Sequence, residues 1–125
     1  NAKFADTHGK WAMTPVWGMS QRLPKRIGLL KAKELMYSGR VITGIEAVSL
    51  GLANSCVPDD QLISEAEKMA REFLENSWHT LRADKMLINQ GLNHGYESGL
   101  KFERDHSPGT GPDLQERLAN FGNKK

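Results

Sequence analysis

Two stretches decide how this chain folds: Leu29-Leu-Lys-Ala-Lys-Glu-Leu-Met-Tyr-Ser-Gly39 and, after three intervening residues, Thr43-Gly-Ile-Glu46. In the first, Leu29, Leu30, Ala32, Leu35 and Met36 recur at helical spacing, and Gly39 stands where a left-handed C-cap is expected. The second has the form of a capping box, with Thr at the cap and Glu three residues on. It opens a short helix through Ala47, Val48 and Leu50 that Gly51 ends. These signals specify helix boundaries and carry no chemistry.

Working outward toward the N-terminus, Gly28 punctuates and a helix runs from about Met19 to Arg26. Before it, Gly9 to Gly18 carry Trp11, Met13, Val16 and Trp17 around Pro15, which reads as a buried, partly irregular turn. Lys3-Phe4-Ala5 reads as a short strand. Toward the C-terminus, Leu52 to Val57, directly before Pro58, predicts a second short strand with Cys56 as a small buried hydrophobe. From Asp59 the pattern turns helical. Leu62, Ala66, Met69, Ala70, Phe73 and Leu74 form one apolar stripe behind a cap at Asp59 or Asp60. Helices follow at about Trp78 to Leu92 and Tyr96 to Arg104. The loop from His106 to Pro112 breaks the pattern, and Asp113 caps a last helix with Leu114, Leu118 and Phe121. Residues 1–58 therefore mix strands and helices, while 59–125 are helical.

The chain has 125 residues and a formal charge of +2. That length fits one ordinary domain with a small core. No apolar run approaches the roughly 18 residues of a membrane helix, and no signal-peptide pattern opens the chain, so a soluble protein with no membrane partner is expected. One cysteine forbids an internal disulfide and fits a reducing, cytoplasmic setting. The start at Asn1 rather than Met suggests a piece of a longer protein. Charge is uneven: residues 1–40 hold eight basic and two acidic side chains, and residues 59–76 hold six acidic and two basic. The basic cluster of Arg22, Lys25, Arg26, Lys31 and Lys33 can face phosphates or simply be a solvated helix face. No basic segment is interleaved with aromatics, so nucleic acid is not an expected partner.

No phosphate loop, dinucleotide fingerprint, His-Glu-x-x-His or Gly-x-Ser-x-Gly motif is present. The histidines at 8, 79, 94 and 106 have no short metal-ligand spacing, so no metal is expected. What remains is Phe4-Ala-Asp-Thr-His8 with the tryptophans that follow. Asp6 and His8 lie two apart, so on an extended strand end they point to one side, and Trp11 and Trp17 could form a wall that lowers the dielectric around them. That combination suits general acid/base work. A structural Asp/His pair has the same sequence.

Gly18-Met-Ser-Gln-Arg-Leu-Pro-Lys-Arg-Ile-Gly28, then Ala32, Leu35-Met36, Ser38-Gly-Arg40, Ile42-Thr-Gly-Ile-Glu-Ala47, Gly51-Leu-Ala and Val57-Pro58 resemble the C-terminal part of the enoyl-CoA hydratase/isomerase (crotonase) superfamily. The similarity continues through the later helices to Glu116-Arg-Leu-Ala-Asn-Phe121. The resemblance implies an α/β fold, the C-terminal portion of a ββα spiral, mostly α-helical in this segment with short strands. Residues 1–58 would end the spiral core and 59–125 would pack subunits as a homo-oligomer, a trimer or a hexamer. It further implies an acyl-CoA substrate, no cofactor beyond the coenzyme A moiety, and two backbone amides that stabilise an enolate-like oxyanion. Both amides, and the first of a hydratase's two glutamates, would lie before Asn1.

The second glutamate of the family follows a proline, and the matching positions here hold His8 and Thr7. The resemblance thus leaves several readings: His8 as acid/base oriented by Asp6, Asp6 as a shifted carboxylate, or a different reaction on the same oxyanion chemistry, such as isomerisation, decarboxylation or C–C hydrolysis. A non-catalytic oligomerising fragment is the competing class. Water addition to a trans-2-enoyl-CoA is the leading expectation. Trp11 and Trp17 are expected to bind the substrate. Phe102 is expected near the adenine or in the core, and Arg117 and Lys124 near the phosphates. Glu116 replaces the family lysine two residues before Leu118.

Overall fold

The computed structural model describes residues 1–121. Along the chain run β1 (Lys3–Phe4), a 3-10 turn (His8–Trp11), α1 (Met19–Ile27), α2 (Leu29–Ser38), β2 (Ile42–Thr43), α3 (Gly44–Ser49) and a second 3-10 turn (Asp59–Gln61). Then come α4 (Leu62–Leu74), α5 (Trp78–Gly91), α6 (Tyr96–His106) and α7 (Leu114–Phe121). The chain is mostly helical with one two-stranded antiparallel sheet, and it divides between Ile63 and Ser64 into two units.

In the first unit the capping box is complete. Thr43 Oγ1 accepts the Glu46 amide at 3.2 Å, and Glu46 Oε2 accepts the Thr43 amide at 2.9 Å. Arg40 braces the same glutamate, donating to Glu46 Oε1 at 2.9 Å and to Glu34 Oε1 at 3.1 Å, so α2 and α3 share one guanidinium. Gly39 ends α2 with φ +56°, as its position predicts. The reversal there returns the chain to pair Ile42 with Phe4 and Thr43 with Lys3. The strand at Ile42–Thr43 escapes a sequence reading because two residues show no periodicity. Leu35, Ile42 and Ala47 form the core, with Ile27, Leu50, Leu52 and Ala53 packed on it.

Two expectations about the C-terminal part of this unit fail. Leu52 to Val57 is irregular rather than a strand, because the Leu52 and Ala53 amides both go to the Ala47 carbonyl, at 2.8 and 3.1 Å, and close the end of α3. Those donors are unavailable to a ladder. Cys56 is exposed rather than buried. Its sulfur nevertheless lies against Gly44, where an added Cβ would stand 2.7 Å from Sγ.

In the second unit α5 and α6 pack together. Ser77 Oγ donates to Asp113 Oδ1 at 2.8 Å, and Arg117 Nη1 donates to the Glu75 carbonyl at 2.9 Å, which fastens α7 to the α4–α5 connection. Asp59 and Asp60, the two candidates for the cap, lie in the first unit's 3-10 turn before α4, where Asp59 accepts from the Asn1 terminus and side chain at 3.2 and 2.8 Å. The apolar stripe of α4 is outward: Leu62, Phe73 and Leu74 are exposed, as are Trp78, Ile88 and Leu92 of the next helix and its end. No helix among the described residues is long and apolar enough to cross a membrane.

Removing the cap oxygen in Thr43→Ala is expected to cost about 1 kcal/mol, read as a lower urea midpoint with an unchanged slope. Gly39→Ala should cost more, since a Cβ there meets the Asp6 carbonyl at 3.2 Å on a backbone already at positive φ.

Candidate active site

The site grows from the turn that follows β1. Pairing of Phe4 with Ile42 holds the strand over the core. The missing side chain at Gly39 lets the Asp6 backbone approach the end of α2. Asp6 is thereby buried, with 7% of its surface exposed, the one buried charged residue among the described residues. Its side chain lines a cavity of about 50 Å³ together with Met19, Leu23, Leu35 and Ile42.

A buried carboxylate needs donors, and His8 supplies two. Asp6 Oδ1 accepts the His8 backbone N–H at 3.0 Å and lies 2.5 Å from His8 Nδ1. The pair does not form on an extended strand end, as the spacing suggested. Thr7 sits at φ −102°, ψ 3° and His8 begins the 3-10 turn, so a local turn wraps the carboxylate around the amide. Burial pushes the Asp6 carboxyl upward, and the two bonds and charge of His8 outweigh it, holding the group below its ordinary 3.8. An ionised Asp6 can only accept, so a proton on Nδ1 of His8 is assigned to that bond, which leaves Nε2 as the nitrogen able to exchange a proton. The His8 side chain is about one-fifth exposed, at 19%. A half-buried imidazole of fixed tautomer, backed by a carboxylate, can take a proton at Nε2 and hold the resulting cation.

The turn from Gly9 to Gly18 is exposed rather than buried. Trp11 and Trp17 have 68% and 73% of their surfaces open, so they do not wall off the carboxylate; Leu23, Leu35 and Ile42 do that. Trp17 alone reaches the pair, its ring centroid 6.0 Å from that of His8 at 55°. The other expected residues lie in the second unit. Phe102 is half-buried and sandwiched between His94 and His106, at centroid distances of 5.1 and 4.1 Å. The sequence gives no sign of this stack, because His94 approaches from the preceding turn. Arg117 is committed to Asp113 Oδ2 at 2.5 Å as well as to Glu75. Lys124 lies outside the described residues. Among those described, no group of three or more His, Cys, Asp and Glu could hold a metal ion.

A family profile described as enoyl-CoA hydratase/isomerase matches residues 1–124, and the chain belongs to that family. It is 37% identical over 102 residues to a short-chain-enoyl-CoA hydratase of Clostridioides difficile, covering 82% of this chain and 66% of that protein. It is 31% identical over 134 residues to a crotonyl-CoA hydratase of Syntrophomonas wolfei, covering 99% of this chain and 52% of that one. The crystal structure of an enoyl-CoA hydratase from Bacillus anthracis superposes with a TM-score of 0.87 at 33% identity, over 100% of this chain and 49% of that chain. The chain thus spans about half to two-thirds of the length of these relatives.

The Asp6–His8 bond makes stability depend on acid. With its carboxyl held low in the folded state, Asp6 contributes stability that is complete above pH 3.8 and lost as pH falls through the folded-state value. Urea midpoints followed from pH 7 to 3 should show that acid loss in the native protein and a smaller one in Asp6→Asn. Parallel curves would remove the bond from the energetics.

Proposed function

We propose that the whole protein acts on acyl-CoA thioesters as an enoyl-CoA hydratase, with His8 as its acid/base and Asp6 as the group that orients it. The observation that carries the reading is the 2.5 Å contact of a buried carboxylate with His8 Nδ1, at the place where the family puts a catalytic glutamate. Asp6 is poorly suited to act directly, since it is buried and Oδ1 is occupied twice by His8. The imidazole has the exposure and the free nitrogen that Asp6 lacks.

In this reading Nε2 takes a proton from water as its oxygen attacks C3 of a trans-2-enoyl thioester. The electron pair of the double bond moves onto the thioester oxygen. Two backbone amides supplied from outside residues 1–125 hold that oxyanion. The imidazolium, stabilised by Asp6, is then a proton source for C2, so atoms and charge balance over the cycle. No cofactor is required beyond the coenzyme A carried by the substrate. Isomerase, decarboxylase or C–C hydrolase chemistry is the second reading, favoured by an imidazole standing where a hydratase carries a carboxylate of fixed charge.

Trp11 and Trp17 serve the acyl end of the substrate in this reading. Phe102 is assigned to the adenine, which must displace one of the two imidazoles stacked on the ring to reach its face. Arg117 and Lys124 are assigned to the phosphates, and Arg117 must share its guanidinium with Asp113 to do so. The exposed apolar faces of the later helices support a homo-oligomer, a trimer or hexamer, whose subunits cover them. The exposed single thiol, with no disulfide partner, supports a cytoplasmic setting.

In the full-length protein, His8→Ala should lower crotonyl-CoA hydration by about 10²–10⁴-fold, and Asp6→Asn should lower it less, with KM little changed in both. Normal rates from both variants reject the assignment. A short series of acyl-CoA substrates separates the two readings by which reaction His8→Ala abolishes. For the adenine contact, Phe102→Ala should weaken coenzyme A binding with an unchanged melting temperature; lost stability alone removes Phe102 from the site.

A further inference from the structure

Arg22 lies one turn into α1, and the reaction proposed above makes no use of it. Its guanidinium does not point to an acid. Nη2 donates to the backbone carbonyl of Trp17, and the group folds over Gly18, where an added Cβ would stand 2.8 Å from Nη1. Gly18 is the N-cap of α1 at φ +86°, a conformation and a closeness that only glycine accommodates. The Arg22 and Gln21 amides also return to the Gly18 carbonyl, at 2.9 and 3.1 Å. The bend at Trp17-Gly18 is therefore held from the main chain and from one side chain together.

Trp17 has little else to hold it. Its surface is 73% open, and the ring contact it makes is with His8. The Asp6 carboxylate holds His8 at Nδ1. His8 is thus bounded by a buried anchor and by an exposed indole whose backbone is clamped by Arg22. A carboxylate bond at one nitrogen leaves the ring free to swing about that bond, and a neighbouring aromatic face limits the swing.

We infer that Arg22 is a positioning residue for His8: by clamping the Trp17 carbonyl it sets the indole against the imidazole and so fixes the direction of Nε2. This rests on the acid/base reading of His8 for its effect on turnover, though not for its effect on the ring itself. Arginine suits the task because its fork reaches the carbonyl while its plane covers the glycine, which a lysine ammonium cannot do.

The test uses the full-length protein with ¹⁵N-labelled histidine. Arg22→Met keeps the stem and removes the donors; it should move the His8 ring resonances and lower kcat about tenfold with KM little changed. Arg22→Lys should fall between the two, and it also serves if Arg22→Met does not fold. Trp17→Ala should give the same His8 shift, and adding Arg22→Met to it should cost nothing further, because the arginine acts through the indole. Unmoved His8 resonances in the folded arginine variant overturn the inference, as does full additivity with Trp17→Ala. If the resonances move while both Arg22→Met and His8→Ala turn over normally, the clamp stands and the acid/base reading fails.

Discussion

A side chain at position 39 has nowhere to go. The backbone turns there at φ +56°, and an added Cβ would stand 2.9 Å from the Lys10 side chain and 3.2 Å from the Asp6 carbonyl. That close approach sets the rest of the first unit. It brings the chain after α2 back along β1, buries Ile42 over Leu35, and holds the strand end at a depth where Asp6 loses contact with water. A carboxylate in that position must be bonded, and the nearest donors are the amide and ring of the residue two positions on. Burial and hydrogen bonding thus oppose each other at Asp6, and the bonds prevail.

The consequence for chemistry is a division of labour between two neighbouring side chains. By the sequence resemblance, a glutamate of the family matches the position that His8 holds here. An imidazole cannot supply a standing negative charge at neutral pH, but it can exchange a proton there, and a buried carboxylate behind it restores part of the missing field. In the proposed reading Asp6 supplies the charge and His8 the exchangeable proton, and the inferred Arg22 clamp on Trp17 adds a second limit on the ring.

The second unit obeys a different constraint. Its four helices are amphipathic, yet none buries a residue among those described. Phe73, Trp78, Ile88 and Leu92 stay open to solvent. The unit is held by the packing of α5 on α6, with Leu81, Met86 and Leu87 half-buried, by the His94–Phe102–His106 stack, and by Ser77 and Arg117 on Asp113 and Arg117 on the Glu75 carbonyl. Apolar area left in water on this scale is costly, which is the physical ground for expecting partner surfaces.

Helix boundaries were legible in the residues, because caps and glycine stops are local chemistry: Thr43 with Glu46, Gly39, Gly28 and Gly51 all act within one turn of chain. The Asp6–His8 pair was legible as a spacing, though its turn geometry was not. Other features needed the fold. Whether Leu52 to Val57 pairs as a strand depends on which carbonyl captures its amides, and whether Trp11 is buried depends on what packs over its turn. The Arg40 bridge between two glutamates, the Arg22 clamp and the His94–Phe102 contact join residues whose separation in sequence carries no periodic signal. Sequence by itself determined that the helices exist, where the capping box and glycine stops bound those of the first unit, and that Asp6 and His8 lie close enough in the chain to pair. Only the tertiary structure decided that Asp6 is the buried, ionised anchor and His8 the accessible partner, because burial is set by distant residues that meet only when the chain closes at Gly39.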